Sequence, residues 1–289
     1  FCGYIDQDRI DEYLRSGKVG TVIVFASDFD RRMEQIYAGI PSKPIIQLIV
    51  DGSNVNTASA SIAYLQEILL GRASQQAMFE TRMLFNPQMK STYNFVPGTM
   101  GLIFILVCAI MTSVSIVREK EVGTMEVLLV SPVRPAKIVF AKMVPYFVIS
   151  CVVLIMILLL AYFMLHVPIS GGVWGIFTLS LLYLLLSLSL GLLVSTVAKT
   201  QTAALLISGM VMMIPILLLS GMLFPIENMP KFFEVLSNIV PARWYIDAIR
   251  KMMIQGSPLM AVWKESVILL GMTVTFFGLS LIKFNDKLE

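Results

Sequence analysis

Few side chains in this sequence have the type and spacing for chemistry, so each can be weighed in turn. The single histidine, His166, stands beside Pro168 at the end of an apolar run and reads as an interfacial side chain with no chemical role. Ser16-Gly17-Lys18 lacks the upstream glycine and the following Ser/Thr of a phosphate-binding loop. Cys108 and Cys151 lie inside apolar runs and Cys2 stands alone, so neither a disulfide framework nor metal-ligand spacing follows. Asp28, Asp30 and Glu34 read as one solvated helix face, and the 19 methionines as adaptable packing. What remains is Arg118–Pro132, REKEVGTMEVLLVSP. Val122, Met125, Leu128 and Leu129 follow i, i+3, i+6, i+7 spacing, one face of a short helix. Arg118, Glu119, Lys120, Glu121 and Glu126 place charge around it. Such a segment is suited to contact rather than catalysis: it fits a groove on a cytoplasmic partner or the inner face of a membrane.

The flanking sequence holds this segment at a membrane face. Pro97–Val117 before it and Val144–Leu165 after it carry no Lys, Arg, Asp or Glu. Each is close to the ~20 residues a helix needs to cross a ~30 Å hydrocarbon core. The whole chain of 289 residues is 57% hydrophobic and 14% charged, with mean hydropathy +0.80. That balance indicates a polytopic α-helical membrane protein. A net charge of +3 is too small to argue for nucleic acid.

Two materials make up the chain. Phe1–Phe95 (residues 1–95) holds nine Lys/Arg against ten Asp/Glu, so it is nearly neutral and well solvated. Val19–Phe25 and Pro44–Val50 read as strands and Thr81–Phe85 as a third. Ser27 is expected to cap a helix running to about Ala38, and Asn56–Phe79 to form a long helix. Strands alternating with helices predict a small α/β domain with some parallel pairing. Residues 96–289 form the transmembrane part, with spans expected at about 97–117, 144–165, 173–197, 203–224 and 266–282.

Basic residues set the expected orientation. The Arg118–Lys142 link carries Arg118, Lys120, Arg134, Lys137 and Lys142, the next link on that side Lys199, and the tail Lys283 and Lys287. The Val167–Gly172 link has none. The positive-inside rule therefore puts segment 118–132 and the C-terminus in the cytoplasm and residues 1–95 outside. Pro225–Glu265 runs against the rule, because it is expected outside yet carries five basic residues. Within it, Met229–Ile239 and Arg243–Ile254 (together 229–254) predict two short helices at the outer face, or dipping into it, with Trp244 and Tyr245 as interfacial residues. Carboxylates and lysines are missing from the spans so read, which disfavours a self-powered ion-coupled carrier. Small residues, including Gly98, Gly101, Gly191, Gly209 and Gly221, permit close helix approach. Pro145 and Pro215 are expected to kink their spans.

Here the sequence resembles the permease subunits of type-2 ABC exporters. That family carries an R-E-x-E-x-G-T-x-E-x-L-L-x-x-P segment, which Arg118–Pro132 reproduces, with Val122 where relatives commonly have a basic or polar residue. Leu219–Pro230 similarly matches its L-S-G-x-x-F-P-I-E-x-M-P run. The resemblance implies ATP and Mg on a separate ATPase subunit and no cofactor in this chain. It also implies a second permease copy, of like or unlike sequence. Arg118, Glu119, Glu121, Gly123, Thr124, Glu126, Leu128 and Leu129 would form the ATPase-coupling contact. The subgroup with so large an outer domain resembles bacterial inner-membrane drug or xenobiotic exporters, often working beside a periplasmic adaptor. Family members usually have six spans, so five visible spans lead to the expectation of a further span ahead of Phe1. The competing reading is a membrane-anchored extracytoplasmic sensor or adaptor-binding protein, which has no reason to keep the Arg118–Pro132 block.

Overall fold

A computed structural model of the chain describes residues 3–17, 19–38, 40, 43–70, 79–124 and 135–285. The first part is a three-stranded sheet with helices on both faces. In chain order it contains α1 (Ile10–Arg15), β1 (Thr21–Phe25), α2 (Phe29–Tyr37), β2 (Ile46–Asp51), α3 (Val55–Leu70) and β3 (Phe79–Leu84). The strands lie in the order β1-β2-β3. β1 is antiparallel to β2, with Ile23 opposite Leu48. β3 is parallel to β2, with Leu48 opposite Thr81. Alternation along β2 divides the two faces. Leu48 and Val50 pack with Ala58, Ile62 and Leu65 of α3, whereas Ile49 packs with Ile10 and Leu14 of α1.

Two expectations shift here. The second helix begins at Phe29, one residue later than a cap at Ser27 would start it. Asp28 precedes it, its carboxylate in a 2.7 Å ion pair with Arg32 and its backbone oxygen accepting from Arg32 N at 3.1 Å. Phe79 opens β3 rather than closing the long helix, since parallel pairing with Ile46 recruits it.

The remainder is a helical bundle. It comprises α4 (Thr92–Val122), α5 (Pro135–Leu159) with a π-helical turn at Leu160–Met164, α6 (Val173–Val197), α7 (Gln201–Leu206), a second π turn at Ile207–Val211, α8 (Met212–Leu219), α9 (Lys231–Ser237), α10 (Pro241–Met253) and α11 (Trp263–Asn285). Among the described residues, five helical stretches are long and apolar enough to cross a membrane: Thr92–Val122, Phe140–Met164, Val173–Val197, Gln201–Leu219 and Leu259–Lys283. α4 begins five residues before Pro97 and continues five beyond Val117. Pro97 is the sixth residue of α4 and forgoes the backbone bond it would otherwise donate to Tyr93 O. At the other end nothing stops the helix before Gly123, whose φ of 79° supplies a left-handed cap, its N–H reaching Lys120 O at 3.3 Å.

Two glycine contacts explain how closely the central helices approach. A Cβ on Gly191 of α6 would lie 2.7 Å from Ala109 O and 2.8 Å from Thr112 Cβ of α4. One on Gly101 of α4 would strike Ile246 of α10 at 2.7 Å. Gly209, by contrast, has open space around it.

The two short helices after α8 part company. α9 leaves Phe232, Val235 and the following Ile239 exposed, whereas α10 buries Tyr245, Ile246, Ile249 and Met253. Tyr245 stacks on Tyr183 of α6, with ring centroids 4.1 Å apart and planes 4° apart. Their hydroxyls are satisfied separately, Tyr183 donating to Gly101 O at 2.8 Å and Tyr245 pairing with Ser180 Oγ at 2.9 Å. Tyr245 is thus a core residue joining α4, α6 and α10, not an interfacial one.

Candidate functional site

The charged residues that end α4 make a knot. Three consecutive side chains leave the helix about 100° apart, so each meets a different neighbour. Glu119 Oε1 pairs with Lys142 Nζ of α5. Lys120 Nζ donates to Ser195 O near the end of α6 at 2.6 Å. Glu121 Oε2 accepts from both the backbone N–H and the side-chain amide of Gln201, each at 3.0 Å. Gln201 is the first residue of α7, whose open backbone donors and positive dipole end favour a carboxylate there. Thr200 caps the same helix end, its Oγ accepting from Ala203 N at 3.2 Å. One end of α4 is therefore bound to α5, α6 and α7 at once.

The other residues expected in the coupling contact fall into two groups. Arg118, Gly123 and Thr124 are exposed beside the knot, with Thr124 Oγ1 donating back to Glu119 O at 3.3 Å. Glu126, Leu128 and Leu129, with Met125, lie outside the described residues. Val122 closes α4 and is exposed, so it does not open a separate short helix. The left-handed turn at Gly123 makes that break, which the i, i+3, i+6, i+7 spacing had bridged. Beside the knot lies a cavity of about 540 Å³ with Ile110, Val114 and Tyr146 on its apolar wall and Arg118, Glu119 and Lys142 on its charged one.

A second polar knot, at the opposite end of α4, has no motif in the sequence. Arg250 of α10, only 9% exposed, donates through Nη2 to Asn94 Oδ1 of α4 at 2.8 Å and to Gly221 O at 3.3 Å. Gln255 Nε2, just beyond α10, donates to Asp51 Oδ2 at 2.8 Å and to Ser53 Oγ at 3.2 Å. Arg15 Nη1 donates to Gln255 O at 2.8 Å. Burial pushes the Asp51 carboxyl above its usual range, against the opposing pull of its hydrogen bonds and of Arg250. These contacts tie the sheet to α10. Lys251 pairs with Asp247 and with Glu265 of α11, each at 2.8 Å. The helices are therefore less free of charge than the apolar runs within them, since Glu265 is buried in the first turn of α11.

Nothing in the sequence marked Asn94, Arg250 or Gln255 as partners. They are 128 residues or more from the groups they meet across the chain, apart from the Gly221 contact. The signal available was weaker, namely a polar residue within an apolar context at Asn94 and an arginine on a short amphipathic helix at Arg250.

The architecture and the polar knots define a polytopic helical membrane protein whose spans are tied together through one charged turn. Residues 4–282 match the family model described as "ABC-2 family transporter protein". The chain is 30% identical over 287 residues to the "Probable multidrug ABC transporter permease YbhS" of Escherichia coli (strain K12), covering 96% of this chain and 75% of the relative. It is 30% identical over 277 residues to YbhR of the same organism, with the same description (92% and 73% covered). It is 27% identical over 299 residues to the "Inner membrane transport permease YhhJ", again of that strain (98% and 78%). No solved structure matches it. The chain belongs to the ABC-2 transporter family and is a transport permease subunit.

Proposed function

We propose that this chain is the permease of an ATP-driven exporter in a bacterial inner membrane, driven by a separate ABC ATPase subunit through the segment that follows α4. Two permease copies pair, and the path between them opens alternately. Residues 1–95 lie outside, the C-terminus lies in the cytoplasm, and a periplasmic adaptor docks on the outer side. The substrates are drugs, xenobiotics or other amphiphiles, a reading supported by the descriptions of the YbhS and YbhR relatives.

One observation carries the mechanism. Glu119, Lys120 and Glu121 bind α5, α6 and α7 respectively. A displacement applied just beyond Gly123 therefore reaches three spans besides α4. Nucleotide binding on the partner shifts the equilibrium only through contacts that differ between its states, and this knot would spread such a difference into the bundle. Glu119 and Glu121 then act as positioning residues within the permease, whereas Glu126, Leu128 and Leu129 make the partner contact itself.

The test is co-purification of the protein in nanodiscs with the ATPase encoded beside it, followed by ATP hydrolysis. A stable complex that is lost in Glu126→Lys, at equal membrane abundance, is the expected result. An intact, folded permease that forms no such complex would overturn the reading and favour an anchored sensor.

A further inference from the structure

The cavity beside the charged turn grades from polar to apolar along the helices that line it. α4 contributes Ile110, Val114 and Arg118 at four-residue spacing, which a helix places on one side. α5 contributes Lys142 and Tyr146, and α7 contributes Gln201 and Leu205, each pair also four apart. The chain enters α5 and α7 from the charged end, so Tyr146 and Leu205 lie about 6 Å deeper along their helices than Lys142 and Gln201. Ile110 lies about 12 Å deeper along α4 than Arg118. Exposed Val122 and Thr124 follow Arg118 at the end of α4. All three helices belong to stretches apolar enough to cross a membrane. On the cavity wall Met111 and Leu205 are 45% and 46% exposed, so hydrocarbon would reach the deep part while the charged part stands at the membrane face.

The hydrogen-bonding groups of the cavity are unevenly committed. Glu119 is held by Lys142, the Gln201 amide by Glu121, and Thr124 Oγ1 by Glu119 O. Arg118, Ser115 and Tyr146, which also line the cavity, make no side-chain hydrogen bond or ion pair among the described residues. A guanidinium and two hydroxyls therefore stand ready to donate. Charge agrees, since Arg118 and Lys142 face the single carboxylate of Glu119, a net charge of one positive around the cavity. An entering cation would meet Arg118. A small anion would satisfy the donors but leave the apolar wall uncovered. An amphiphile with an anionic head satisfies both, and the guanidinium fork matches a phosphate in particular.

We propose that this cavity binds one anionic phospholipid of the surrounding bilayer, its phosphate against Arg118 and an acyl chain along Ile110, Val114 and Leu205. A volume of about 540 Å³ is within the range of small-molecule sites, and basic pockets between spans at a membrane face suit anionic headgroups. The inference rests on these helices crossing a membrane and not on coupling to an ATPase, which its test leaves out.

The test is native mass spectrometry of the full chain in detergent, titrated with dioleoylphosphatidylglycerol, dioleoylphosphatidylcholine and glycerol 3-phosphate. Phosphatidylglycerol is expected to bind saturably, one per chain, and more tightly than phosphatidylcholine, whose headgroup carries no net charge. Glycerol 3-phosphate has the phosphate without the chains and should not displace it. Arg118→Gln, at an exposed position without a partner among the described residues, should fold normally and weaken phosphatidylglycerol binding by about tenfold or more, the loss of a hydrogen bond between charged groups. Leu205→Trp, at an exposed position of α7 on the cavity wall, fills the apolar part and should also weaken binding. Lys199→Gln removes an exposed cation that does not line the cavity and should leave binding unchanged. Equal binding of phosphatidylcholine would overturn the proposal. So would displacement by glycerol 3-phosphate, affinity unchanged in Arg118→Gln or in Leu205→Trp, or a loss in Lys199→Gln as large as that in Arg118→Gln.

Discussion

Exchanging the charges of Glu119 and Lys142 separates a role within the permease from a role in partner contact. Their side chains are 20% and 35% exposed, between a surface pair worth under about 1 kcal/mol and a buried pair costing about 3–5 kcal/mol to break. Glu119→Lys replaces attraction with repulsion between two ammonium groups at the junction of α4 and α5. At an effective dielectric near 20, unit charges ~4 Å apart interact by about 4 kcal/mol. Partial exposure and side-chain movement reduce this to about 2 kcal/mol of lost stability for the single variant. Lys142→Glu alone should lose a similar amount. The double variant Glu119→Lys/Lys142→Glu rebuilds the pair in reverse and should recover most of that loss. The assay is thermal unfolding of the isolated permease, with no ATPase present, followed by ATPase-coupled transport of the same four proteins. Recovery of stability and transport together supports the pair as a tie between spans. Full stability of Glu119→Lys, or a double variant as poor as the sum of the singles, refutes the reasoning. A contact made directly with the ATPase would give that second pattern in transport, because the partner would still meet the wrong charge.

Three further outcomes are expected. Gly191→Val should destabilise the bundle by about 1–3 kcal/mol or more, since its Cβ would lie 2.7 Å from the Ala109 backbone oxygen, whereas Gly209→Ala has open space and should not; the melting temperatures in detergent decide. Asn94→Leu removes a buried acceptor from the Arg250 guanidinium and should cost about 2 kcal/mol, against about 1 kcal/mol for Tyr245→Phe, which loses only the bond with Ser180 Oγ. Asp51 carries a pH signature. Its folded pKa is raised, so its contribution to stability is fully present below the ordinary carboxyl range and is lost as pH rises through the folded value. The melting temperature of the wild type minus that of Asp51→Asn should therefore fall with increasing pH above about 4; a flat difference would remove the burial argument.

Much of the architecture could be read directly from the chain, and for simple reasons. Apolar runs of about 20 residues have few other destinations than a bilayer, and short β-branched apolar runs such as Pro44–Val50, closed by turn residues, read as buried strands. The block Arg118–Pro132 could be singled out because charge between two apolar runs is conspicuous. Its inner organisation was not legible. Spacing counts residues and does not register a left-handed glycine, so Val122 was grouped with residues beyond Gly123 although it ends α4. The partners of Glu119, Lys120 and Glu121 lie on three other helices, 23, 75 and 80 residues away, and no local rule selects them.

Pro225–Glu265 shows the same division most sharply. Its five basic residues opposed the orientation that every other link supported, because the positive-inside rule treats each lysine or arginine as a free charge at the surface. In the fold Arg250 is buried against Asn94 and Gly221, Lys251 lies between two carboxylates, and Arg243 is held by Glu234 O, Ser237 and Asn238. Composition alone determined that this chain must cross a membrane, since transfer of apolar surface depends on residue type and run length. Which charges are spent inside the protein depends on helices meeting across more than a hundred residues, and only the tertiary structure decided that.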